Sequence, residues 1–286
     1  MAEKRFHRQN YPWKILGEFG LTEEMISDLP DFVHDTLEAG CKSPLLPIAI
    51  KQPFGFTHCY AKFRLIETEH GTDVMFSPKL KETDLSAFSD SEKQSLLDGK
   101  VIVTDIEEAY HLDDGTQKIQ RVRAFVQLDK DTNGIVYVPT QIIGKNLQTL
   151  SNDFDLSDED LQSLLSGELI TVSASDSEDP TENVTIGIDL FSERGIAMAS
   201  GDKRRWEQTA RKPMPEYSFG NDGCWINHGG KLSYIPENEF TDEIFDAMKR
   251  NARKNGIPME EINEHVEIHR QEHIAEKEDE ARQLAR

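Results

Sequence analysis

The chain has 286 residues, 37% hydrophobic and 30% charged, with a formal net charge of −21. This composition supports a folded core under a very polar surface. Residues 1–199 alone hold 18 Lys and Arg against 35 Asp and Glu, which excludes a general nucleic-acid-binding surface there, because phosphate backbones are repelled.

No run approaches the roughly 18 apolar residues of a membrane span, and the opening residues lack the apolar stretch of a secretory signal. The three cysteines, Cys41, Cys59 and Cys224, are widely spaced and fit a reducing compartment. A cytoplasmic protein without membrane association is expected.

Residues 1–85 read as an N-terminal segment carrying Tyr11 and Trp13, then a first unit. In that unit a helix ends at Gly40, the strand "PLLPIAI" follows, and two alternating runs flank Gly71. Residues 86–150 form a second unit and 151–200 a third. "SDSEKQSLLDGKVI" (89–102) and "SDEDLQSLLSGELI" (157–170) agree at eight of fourteen positions. That length of match marks an internal repeat rather than shared turn chemistry.

In both copies a serine, Ser89 or Ser157, stands where a helix N-cap is wanted. Two adjacent leucines are expected to face the core, and Gly99 or Gly167 suits a left-handed helix stop. Each unit therefore reads helix–strand–strand–turn–strand, the first copy being the most diverged.

Asp129, Asp131, Asn133 and Gly134 resemble the start of a calcium loop. The twelfth position is Thr140, where a bidentate Glu is needed, and the flanks alternate as strands. A tight hairpin around Asn133-Gly134 is expected instead.

Residues 201–256 read as a basic linker, a hairpin turning at Gly229-Gly230, and an amphipathic helix with Ile244, Phe245, Met248 and Ala252 at helical spacing. The linker groups Lys203, Arg204, Arg205, Arg211 and Lys212 around Trp206. Arg204, Arg205 and Trp206 are candidate partner-binding residues. A phosphate or stacked base is a second use of the cluster, and neutralising the acidic repeats is a third.

Residues 257–286 read as a polar helix. His265, His269 and His273 recur at i, i+4 and i+8, a spacing that can ligate a metal. His269 to His273 also fits H-x-x-E-H, but a catalytic zinc site needs a further acidic ligand for which little chain remains. Ile262 and Val266, with His269 and His273, make a 4-3-4 seam suited to a partner helix. There is no G-x-S-x-G and no phosphate-cradling G-x-x-x-x-G-K-[ST]. No cofactor is expected.

"YPWKILGEFGLTEEMI", "LEAGCKSPLLPI" and "LLDGKVI…VYVPTQIIGKNL" resemble a domain-of-unknown-function repeat family of conjugative and other mobile elements of Bacteroidetes. The resemblance covers about residues 12–200 and rests on structural positions. It implies a bacterial cytosolic protein tied to mobile-element maintenance, and carries no activity with it.

The expected fold is α+β: tandem repeats of a helix plus a small antiparallel sheet, followed by a C-terminal hairpin and two helices. The expected function is a non-catalytic acidic adaptor for a protein partner, one that is basic or processes nucleic acid. The alternative is a nucleic-acid mimic or a modulator of a nucleic-acid-processing enzyme. A metal-dependent enzyme stands third.

Overall fold

A computed structural model of the protein describes residues 4–111, 115–173, 183–206 and 213–256. The architecture is α+β, with helices and four small antiparallel sheets of three strands, each sheet ordered as in the chain. The helices are α1 (Trp13–Glu18), α2 (Glu23–Ser27), α3 (Asp31–Glu38), α4 (Asp90–Leu97), α5 (Thr140–Phe154), α6 (Asp158–Leu165) and α7 (Asp242–Asn255). The strands are β1 (Leu46–Gln52), β2 (Gly55–Thr68), β3 (Gly71–Pro78), β4 (Ile102–His111), β5 (Gln117–Asp129), β6 (Gly134–Pro139), β7 (Ile170–Ser173), β8 (Asn183–Ile188), β9 (Ile196–Ser200), β10 (Tyr217–Phe219), β11 (Gly223–His228) and β12 (Lys231–Pro236).

Two compact units are present. The first holds the described residues of Met1–Tyr11, Asp35–Leu45 and Cys59–Pro213; the second holds those of Pro12–His34, Leu46–His58 and Met214–Arg286.

In the first unit the helix ends repeat down to single hydrogen bonds. Gly99 N–H donates to Leu96 O and Lys100 N–H to Ser95 O; Gly167 N–H donates to Leu164 O and Glu168 N–H to Ser163 O. At the end of α3, Gly40 N–H donates to Leu37 O and Cys41 N–H to Thr36 O. All three glycines sit at φ between +80° and +89°, a conformation that costs a Cβ-bearing residue and that closes a helix by this double bond. The most diverged copy thus ends its helix as the other two do.

The helix starts of the later copies agree as well. The Glu92 carboxylate accepts from Ser89 N–H, and the Asp160 carboxylate from Ser157 N–H, the reciprocal capping arrangement.

The paired leucines do not both face the core. Leu96 is fully buried but Leu97 is 52% exposed; Leu164 is fully buried, with Leu165 only partly covered. Neighbouring helical residues point about 100° apart, so a short helix packed on one sheet buries only one of them. The stretch from 146 to 155, where the second unit was expected to give way to the third, belongs mostly to α5. Ile143 and Leu147 are buried, and Leu150 and Phe154 pack beside them, a 4-3-4 stripe that holds the helix on the sheet despite Gly144. This stripe, with Phe125, Leu164, Ile170, Ile186 and Ile188, makes one continuous core between the second and third copies.

In the second unit β10–β12 pack against α7 through Cys224, Ile226 and Ile244. The β11–β12 turn is Gly229-Gly230, both at positive φ, as the two-residue hairpin requires. The fully buried Trp225 donates its indole N–H to Met25 O at 2.8 Å. Asp28 accepts from Asn221 N–H at 2.7 Å and Tyr234 O–H at 2.6 Å, so the α2 end is stitched to this sheet. Burial and the Asp28 acceptor hold the Tyr234 phenol proton well above its ordinary value.

Leu96→Ala is expected to cost about 2–5 kcal/mol, and Leu97→Ala within about 0.5 kcal/mol. Urea unfolding of the two variants checks this; similar losses would mean the helix packs on another face.

Candidate functional site

The stretch first read as a hairpin has a second job. The loop between β5 and β6 has four residues, since Asp129 pairs with Gly134. Only Asn133 adopts positive φ, at 57°, and Gly134 does not. The expected two-residue turn is therefore replaced by a wider loop. Its width lets Asp129 and Asp131 fold back over β2, where both grip the Lys62 ammonium, at 2.9 and 2.6 Å. Lys62 and Asp129 are buried. The carboxylates spaced like calcium ligands thus hold a lysine.

Burial pushes the Asp129 carboxyl up, but the Lys62 charge and hydrogen bonds from Lys62 and Asp131 N–H outweigh it, and the group lies below its ordinary value.

Other bonds fasten the same corner. Leu80 N–H donates to Thr132 O, and the Asn133 side chain donates to Leu80 O. The Lys62 ammonium also lies 5.7 Å from the Phe191 ring, within cation–π range. Phe191 belongs to the β8–β9 loop, which Gln127 holds by accepting from Leu190 N–H and Asn146 by donating to Arg194 O. Gly195 in this loop has φ +73°, which favours glycine, and a Cβ there would displace the end of the Ile143 side chain. Segments from β2, the β5–β6 loop and the β8–β9 loop thus meet around Lys62.

Beside this clamp lies an open groove of about 890 Å³, within the size range of binding sites. Its lining reveals how it is built. Met75 and Ser77 come from alternate positions of β3, hence from one face of that sheet. Val136, Tyr137, Val138 and Pro139 are consecutive on β6. Alternate side chains of a strand point to opposite faces, so four in succession line one cavity only where it runs along the strand's edge. β6 is an edge strand of its sheet, β5 lying between it and β4.

Two features set the groove apart. Met75, Tyr137 and Ile142 are 44%, 42% and 51% exposed, a cluster of large apolar side chains in contact with solvent. Arg5, Lys42, Arg64 and Arg194 also line it, against Glu108 as the one carboxylate among the described lining residues. Neither Lys42 nor Arg64 has a carboxylate within ion-pair distance among the described residues; Arg64 reaches only the Met75 sulfur, at 3.4 Å. Burial holds the half-buried Lys42 below its ordinary value; Asp129 opposes this, while Lys62 and Arg64 add to it.

The residues nominated from sequence lie elsewhere. Arg204 is exposed at the end of β9, beside a turn capped by Asp202, and Trp206 is half-buried over β8, where a Cβ on Gly187 would meet its ring at 3.1 Å. Neither lines the groove. Ile262, Val266, His265, His269 and His273 lie outside the described residues. Among the described residues no group of three or more His, Cys, Asp or Glu could hold a metal ion, and no helix is long and apolar enough to cross a membrane. Burial pushes the Cys224 thiol up to about 12, away from nucleophilic use. Comparison with protein-family models, curated proteins and solved structures gave no match.

Because the folded Asp129 value is depressed, its stabilising contribution is present above the unfolded carboxylate value of about 3.9 and is lost as pH falls through the folded value. Asp129→Asn is expected to be about 2 kcal/mol less stable than the native protein at pH 7, and to lose less on acidification to pH 3. Urea unfolding at the two pH values checks this; parallel pH profiles would show that Asp129 carries no such linkage.

Proposed function

We propose that this chain is a non-catalytic interaction protein and that the groove beside the Lys62 clamp is its partner site. The observation carrying this reading is the lining itself: exposed Met75, Tyr137 and Ile142 set beside Lys42 and Arg64, neither of which has a carboxylate within ion-pair distance among the described residues. Exposed apolar area rimmed by charge is the usual make-up of a binding surface. The preference for an adaptor in mobile-element biology rests on the likeness of residues 12–200 to that family. Nucleic-acid mimicry draws on net charge alone and has no residue cluster of its own.

Cys41 lines the groove and offers a handle. With Cys59 changed to Ser and Cys224 buried, a photo-crosslinker on Cys41 is expected to capture a discrete partner in host lysate. Tyr137→Glu with Ile142→Glu should reduce that product by about tenfold or more. Equal capture by both proteins would contradict the reading.

A further inference from the structure

The groove's construction narrows what it can hold. Its wall is the outer edge of β6, which pairs with no further strand among the described residues, and such an edge presents backbone N–H and C=O groups to a partner. Its floor is the face of β2–β3 bearing Arg64 and Met75, which are directly paired. A backbone edge over an apolar floor suits an extended chain, because main-chain bonds supply affinity while alternate side chains reach the floor.

Charge sets the second requirement. With 53 acidic against 32 basic residues in the chain, a groove of average make-up would be acidic; this one is cationic. Burial depresses Lys42, Asp129 offsets part of this, and repulsion from Lys62 and Arg64 adds to it. An incoming carboxylate relieves both penalties. A nucleic acid would meet the same cations, but its backbone would run out over a strongly acidic surface, and it offers no strand to pair with β6.

We propose, resting on the interaction reading above, that the groove binds an extended acidic peptide segment, added as a fourth strand along the edge of β6, with apolar side chains on Met75, Tyr137 and Ile142 and carboxylates at Lys42 and Arg64. The partner is thus a protein with an exposed segment that alternates apolar and acidic residues. Arg5, also in the lining, favours a further acidic flank.

The test uses the full chain and two fluorescent ten-residue peptides, one alternating valine with glutamate and the other valine with lysine. The glutamate peptide is expected to bind at least about tenfold more tightly, with affinity falling as salt rises. Amide hydrogen exchange should slow at residues 134–138. Lys42→Glu with Arg64→Glu, folded by circular dichroism, should reverse the preference. Absence of glutamate-peptide binding at millimolar concentration, equal binding of the two peptides, or slowed exchange confined to other strands each overturns the proposal. Capture at Cys41 without glutamate-peptide binding would remove this inference alone, whereas loss of both would remove the interaction reading with it.

Discussion

A buried ammonium has to be neutralised, and the first unit is arranged around that demand. Lys62 projects from β2 into a site where it is 8% exposed. Desolvating it costs several kcal/mol unless a counter-charge is held in good geometry. Asp129 and Asp131 meet the demand from the β5–β6 loop, and Phe191 adds its ring from the β8–β9 loop. One side chain therefore ties together three segments that are far apart in sequence. The fixed loops in turn define the groove, because Phe191, Arg194 and Gly195 on one side and β6 on the other form its walls.

The same accounting separates charges that matter from those that decorate. Arg121 with Glu107 and Arg123 with Asp105 pair across β4 and β5, but every partner is largely exposed. Such pairs contribute little and are screened by salt. Their effect is to offset the Asp105 and Glu107 charges on β4. Half-buried Lys42 and exposed Arg64 have no carboxylate within ion-pair distance among the described residues, so the acidic protein carries a local region of reversed sign at the groove. That reversal, rather than the net charge, is the functional clue.

Much of the local structure was legible in the residues. The serine caps at 89 and 157, the glycine stops at 40, 99 and 167, and the Gly229-Gly230 turn each follow from a short-range rule that one residue satisfies alone. Leu97 escaped because two adjacent leucines look alike until a partner sheet selects a face. Helix α5 was hidden by Gly144 and by a polar run, although Ile143, Leu147, Leu150 and Phe154 keep helical spacing. The clamp could not be read at all. Asp129 and Asp131 match an ion-binding spacing, but nothing near them in sequence names Lys62, 67 residues away. The groove was equally hidden, since Lys42, Arg64, Tyr137 and Ile142 share no motif and meet only through tertiary packing. Arg204 and Trp206 drew notice as a basic aromatic cluster, yet the Trp206 ring packs on Gly187.

The Lys62 clamp joins β2 to the β5–β6 and β8–β9 loops and thereby seats the groove. A double-mutant cycle with Lys62→Met and Asp129→Ala measures it most directly, by urea unfolding at pH 7. Each single change should be costly, because Lys62→Met leaves the buried Asp129 carboxylate without its cation and Asp129→Ala leaves Lys62 only the more exposed Asp131, and the pair should cost much less than the sum, with a coupling of at least about 2 kcal/mol. Single-variant losses that add to within about 0.5 kcal/mol would contradict the claim and leave the groove without its organising contact.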